Sequence, residues 1–142
     1  MSIYSFTVPT RINMQLQNQI IPTPEQIKAL LNLPKDQPVV MVNILKYKGD
    51  EGKKSYQRYQ KNVLPFLKKV KGKLIWKGKS LHTVIGDAGS EPDSFMLVEY
   101  PSITNFMEMI SDPAYQEIAK DRSLGLTYGG LIATETEYLM EG

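Results

Sequence analysis

The chain has 142 residues and a mass of 16.1 kDa, which is one ordinary domain rather than two. Hydrophobic residues make up 42% and charged residues 23%, so neither a disordered chain nor a fibre is expected, and a net charge of +2 is too small to argue for a nucleic acid. Cysteine is absent and histidine occurs once, at His82, which excludes disulfides, thiolate chemistry and a His-rich metal site within one chain.

Residues 1–22 show no sustained period and are expected to form an arm, with a short strand around Ile3–Val8. The remainder, 23–142, is expected to be a single domain. Thr23 caps a helix with Pro24 in its first turn and Gln26 closing a capping box, and Pro34 stops it. A strand rich in β-branched residues follows from Pro38 to Tyr47. Tyr56, Tyr59, Val63, Leu67 and Val70 recur at helical spacing, predicting a helix over Lys53–Val70, kinked at Pro65 and ended by a left-handed Gly72.

Lys73–Ile85 is predicted extended, with an interruption at Gly78, and 86–93 is a turn-rich loop. Ser94–Tyr100 is a third strand. Ser102 caps a helix to Ile110, and Asp112-Pro113 opens another that runs to about Leu124. Residues 127–138 complete the pattern as a strand with a bulge or bend at Gly129-Gly130. The order is α+β, a ferredoxin-like βαββαβ with a four-stranded antiparallel sheet, preceded by the arm and an extra helix.

Strand alternation gives two mostly apolar faces. Val40, Val42 and Ile44 suit the helices, while the face carrying Val39, Met41, Asn43 and Leu45, with Phe95, Leu97 and Glu99, is expected to stack against a second subunit. Such a bare apolar sheet marks an interface, which predicts a homodimer with Asn43 and Glu99 between the sheets. Charge is also segregated: residues 46–79 carry +10 and residues 80–142 carry −9. The two segments therefore attract each other, chiefly as intramolecular complementarity.

The segment Pro38–Lys46, the Tyr56-x-x-Tyr59 pair with Pro65, Lys71-Gly72-Lys73 with Trp76, Val98–Ser102, Asp112–Gln116 and Arg122 together resemble an uncharacterised branch of the dimeric α/β-barrel superfamily. The likeness spans roughly residues 23–135 and departs at Lys71, where many members have a second glycine. Gly72 is expected to suffice there. The resemblance implies the fold and the dimer, but no established reaction. Relatives in the superfamily include cofactor-free monooxygenases, haem-degrading enzymes, stress-response proteins and muconolactone isomerase.

Candidate chemistry is sparse. Asn43, Tyr59, Trp76 and Arg122 are the candidate ligand-binding residues of a cavity between sheet and helices, with Arg122 offering a bidentate grip on a carboxylate. His82 and Glu99 are the candidate catalytic groups: imidazole is the side chain suited to general acid–base work near neutral pH, and a carboxyl on the inner face would serve as a base or, the favoured reading, pair with a lysine or Arg122. The resemblance to haem-degrading relatives fails at His82, which is not on a helix, so haem is reduced to a minor hypothesis and no cofactor is expected, nor any metal.

The lysine run 68–73 lacks the aromatic motif of an RNA-binding sheet, so no nucleic acid is expected. The unbroken apolar run Val39–Val42 is far below the ~18 residues of a membrane span, and no signal peptide is visible. The expectation is a cytoplasmic homodimer acting as a small-molecule enzyme, a cofactor-independent oxygenase or isomerase for an acidic or aromatic metabolite. The alternative is a non-catalytic ligand-binding or stress-related module.

Overall fold

The computed structural model describes residues 18–140. The arm over residues 1–17, including the strand expected around Ile3–Val8, lies outside the described residues. Thr23 and Gln26 exchange both bonds of a capping box at the head of α1 (Pro24–Leu31). There follow β1 (Val39–Tyr47), α2 (Gly49–Asn62), α3 (Leu64–Lys69), β2 (Lys73–Lys79), β3 (Ser94–Tyr100), α4 (Ile103–Ile110), α5 (Pro113–Gly125) and β4 (Leu126–Thr134).

The strands pair in the order β2-β3-β1-β4 and every pair is antiparallel, which is the ferredoxin-like arrangement. The helices cover one face of this open sheet.

Several boundaries differ from the sequence expectation. The long helix begins at Gly49, not Lys53, and is two helices meeting at Val63. Pro65 causes no mid-helix kink because it sits in the first turn of α3, where its missing N–H is not needed. β2 ends at Lys79, so residues 80–93 are a loop, and β4 ends at Thr134 rather than 138. The bulge in β4 falls at Thr127, where the register shifts; Gly129 and Gly130 pair regularly with Leu45 and Ile44.

The end of α3 carries a further correction. Lys71, not Gly72, takes the left-handed conformation, at φ +62°. Gly72 is required for space instead: a Cβ there would lie 3.0 Å from Leu67 and 3.2 Å from the Tyr100 ring. The position where family members have a second glycine is therefore the strained one here.

The two sheet faces are also exchanged along β1. Val39, Met41, Asn43 and Leu45 are buried beneath the helices together with Met96, Val98 and Tyr100 of β3. Val40, Val42 and Ile44 lie on the open face with Phe95 and Leu97. Asn43 and Glu99 consequently occupy opposite faces. Alternation marks which residues share a face, but both faces are apolar, and a lone Asn did not reveal which one the helices cover.

The core joins this sheet face to Tyr56, Tyr59, Phe106, Met109 and Tyr115 from the helices, and to Ile20 and Ile21 from the segment before α1. α2 and α5 touch backbone to backbone at Gly52 and Gly125; a Cβ on Gly125 would stand 2.6 Å from the Gly52 carbonyl oxygen. The segregated charges meet within the chain where Arg58 pairs with Asp121 at 3.4 Å and Lys69 with Asp112 at 3.8 Å. Both pairs are solvated and contribute little. Among the described residues no helix is long and apolar enough to cross a membrane.

Candidate functional site

Helical spacing places Tyr56 and Tyr59 on one face of α2, and the chain reversal at Asp112-Pro113 aims Tyr115 of α5 at them. Their rings pack in series at steep angles: the Tyr56 ring lies 5.5 Å from that of Tyr59, which meets Tyr115 edge to face at 6.2 Å. Beneath them the sheet supplies Met41, Asn43 and Met96. A cavity of about 680 Å³ lies between these layers, closed at one side by residues 18–22 and α1. Its size suits a small molecule and its walls are mostly apolar.

The polar groups of this cavity divide into satisfied and unsatisfied. The Tyr59 and Tyr115 hydroxyls are 2.8 Å apart and satisfy each other. Among the described residues the Asn43 amide donates only to the Met41 carbonyl, at a long 3.4 Å. The Tyr56 hydroxyl is fully buried and has no hydrogen-bond partner among the described residues. Leaving a buried hydroxyl unpaired costs about 1–3 kcal/mol.

Arg122, on the last turns of α5, donates from Nη1 to the Ile20 carbonyl at 2.7 Å and from Nη2 to the Gly129 carbonyl at 3.1 Å. Gly129 makes this possible, because a Cβ there would lie 2.9 Å from Nη2. Both partners are neutral, and among the described residues no carboxylate pairs with Arg122. Its uncompensated charge acts on the phenols. Burial pushes the pKa values of Tyr56, Tyr59, Tyr100 and Tyr115 upward, and Arg122 pulls each partly back. Near neutral pH they are therefore proton donors rather than bases.

Asn43, Tyr59 and Arg122, all expected from sequence, line this cavity. Trp76 does not. The register of β2 shifts between Leu74 and Trp76, turning Leu74 to the cavity and Trp76 to the open face, where its indole lies across Gly78. Glu99 is on the open face as well, cross-strand from Lys73. His82 is exposed in the loop after β2, in a shallow depression with Glu91 and Phe95. The two candidate catalytic residues thus lie outside the cavity and apart from its phenols.

Tyr115 and Tyr100 line the cavity and were not singled out in the sequence. The available signal was composition: the chain has eight tyrosines against four phenylalanines. Core packing alone has no need of hydroxyls, which must find partners when buried. No group of three or more His, Cys, Asp or Glu among the described residues could hold a metal.

Residues 44–135 match a family described as a domain of unknown function, DUF1330. No curated protein matches the chain. A protein of unknown function from Rhodopseudomonas palustris has 26% identity and a TM-score of 0.80, covering 87% of this chain and 100% of its own. A hydroxynitrile lyase from Passiflora edulis has 13% identity and a TM-score of 0.57 over 74% of this chain and 99% of its own. A dimeric protein of unknown function with a ferredoxin-like fold from Bacteroides fragilis has 10% identity and a TM-score of 0.51, covering 72% of this chain and 100% of its own.

Proposed function

The chain belongs to the DUF1330 family, and from that premise we propose that it is a small-molecule enzyme whose substrate, an acidic or aromatic metabolite, occupies the cavity between sheet and helices. The observation that carries this reading is the buried Tyr56 hydroxyl, which has no partner among the described residues, in a cavity also lined by Arg122, which has no carboxylate partner among them. A ligand with an apolar body and an oxyanionic head group satisfies both. Protonated phenols and Arg122 favour a reaction in which negative charge builds on a substrate oxygen, such as an isomerisation through an enolate or a cofactor-independent oxygenation of an enolisable substrate. The fold is used for small-molecule chemistry elsewhere, as in the hydroxynitrile lyase, although a shared fold alone assigns no reaction.

A second reading, a binding module without turnover, is favoured by the lining itself. Among its described residues there is no carboxylate and no histidine to take a proton. Native mass spectrometry of freshly purified protein, beside the denatured mass, tests the site. A retained small mass that is lost in Tyr56→Phe supports it, whereas retention unaffected by both Tyr56→Phe and Arg122→Ala removes the cavity assignment. Incubating the protein with the released compound then separates enzyme from binder: conversion supports the first reading and unchanged compound the second.

We further propose that the chain is a homodimer, with the open sheet face covered by a second copy. Val40, Val42, Ile44, Phe95 and Leu97 run across it, flanked by Trp76, 51% exposed, and Ile132, 53% exposed. A patch of this kind is costly to leave in water, and the Bacteroides fragilis protein of the same fold is dimeric. Val42→Glu should give a monomer by light scattering; an unchanged mass would exclude this face.

A further inference from the structure

The floor of the cavity is a trough that crosses the whole sheet. Ala133 of β4, Met41 of β1, Val98 of β3 and Leu74 of β2 stand side by side in register, and all four line it. Three strand spacings of about 4.8 Å give this apolar row a length of roughly 14 Å. The roof over it includes Ile27 of α1, Val63 and Leu67 of α3, all buried. At the β2 end Leu74 and Leu64 are exposed, so the trough opens to solvent there.

Charge is confined to the β4 end. Arg122 is the one charged side chain that lines the cavity among the described residues, and its bonds to the Ile20 and Gly129 carbonyls hold it at that edge. Among the described residues these bonds occupy two of the five guanidinium N–H groups, which leaves the others for an anion. The Arg122 charge also acts on the Tyr56 phenol, whose hydroxyl is buried.

One cation at one end of a long apolar trough, with the far end open, fits an amphipathic monoanion. A compact aromatic acid would fill the Arg122 end and leave the stretch from Met41 to Leu74 without a partner. A flexible chain covers that stretch, and Met41, Met96 and Met109, unbranched and adaptable, suit walls that pack against such a chain.

We propose that the ligand is a free monocarboxylic acid with a medium-length aliphatic chain, its carboxylate on Arg122 and its chain laid across β1 and β3 toward Leu64 and Leu74. The inference rests on the small-molecule reading of the cavity and narrows its substrate class from acidic or aromatic to aliphatic.

The test is calorimetric titration of the intact protein with butyrate, hexanoate, octanoate and decanoate, with benzoate and decanol as controls. The expected result is one site per chain, tightening about fourfold for each added methylene, as removal of a CH₂ from water predicts. Benzoate and decanol should each bind at least about tenfold more weakly than decanoate, and Arg122→Ala should weaken decanoate by about 10- to 100-fold. Leu74→Trp, at the exposed rim, should erase the gain from the outer methylenes, so that decanoate binds no tighter than hexanoate. An affinity that is flat along the series, benzoate binding as tightly as decanoate, or full decanoate affinity in Leu74→Trp overturns the proposal. The two readings fail separately. A retained small mass that is lost in Tyr56→Phe, in a protein that binds no aliphatic acid, removes the chain-shaped ligand alone. Decanoate binding that neither Arg122→Ala nor Leu74→Trp alters lies elsewhere on the protein and removes the cavity reading with it.

Discussion

The hydroxyls of Tyr59 and Tyr115 share one hydrogen bond at 2.8 Å, and both rings are buried where α2 packs on α5. Each phenol is the other's polar partner. Tyr115→Phe should therefore destabilise the protein by about 1–3 kcal/mol, because the Tyr59 hydroxyl is left buried and unpaired. The double change of both residues to Phe should cost less than the sum of the two single changes, since it removes donor and acceptor together. Urea denaturation of the four proteins measures this; additive losses would mean that the hydroxyls do not depend on each other.

The phenols also set the alkaline limit of stability. Burial raises the pKa values of Tyr56, Tyr59, Tyr100 and Tyr115 in the folded chain. In the unfolded chain they titrate at about 10. Below that pH neither state loses a proton and their contribution is constant. Above it the unfolded chain releases protons that the folded chain retains, so stability falls by up to about 1.4 kcal/mol per pH unit for each phenol. Tyrosinate absorbance from these residues should appear together with the loss of near-UV circular dichroism. Their ionisation ahead of unfolding would contradict the burial.

Gly125 admits no side chain. A Cβ would lie 2.6 Å from the Gly52 carbonyl oxygen and 2.8 Å from the Tyr56 nitrogen, both backbone atoms that cannot swing aside. Gly125→Ala should cost about 1–3 kcal/mol by forcing α2 and α5 apart. It should also weaken ligand retention, because Tyr56 moves with α2. A wild-type melting temperature for this variant would show that the helices have more slack than their contact implies.

Lys71 is the opposite case. At φ +62° a side chain is strained by about 1–2 kcal/mol, and glycine relieves that at a cost of roughly 0.4–1 kcal/mol in unfolded-chain entropy. Lys71→Gly should leave a net stabilisation of roughly 0.5 kcal/mol, read as a shift in the urea midpoint without a change in slope. Destabilisation would place the strain elsewhere.

The element order and strand pairing were legible because they rest on local signals: the Thr23–Gln26 capping box, the Ser102 and Asp112 caps, and the apolar runs of β1 and β3. Asn43, expected between stacked sheets, lines the cavity because the helices cover its face of β1, whereas Tyr59 was legible on the inward stripe of α2 because the helical period there is clear. Trp76 was not. A one-residue register shift between Leu74 and Trp76 sends its side chain to the other face, and a bulge of that kind has no marker in the neighbouring residues. His82 was singled out by its chemistry, which carries no information about position, and Glu99 by alternation along β3, which does not say which face the helices cover; the fold leaves both outside the cavity.

Local preference within the sequence by itself determined the fold class, the helix caps, the strands and a core with more hydroxyls than packing requires. Only the tertiary structure decided which sheet face the helices cover, since both faces are apolar and burial depends on where α2 and α5 land. It likewise decided that Tyr59 and Tyr115, far apart in the chain, satisfy each other while Tyr56 does not, and that Arg122 meets two carbonyls rather than an acid. These are relations between distant segments, set by a helix crossing at two glycines. No window of sequence contains both sides of them.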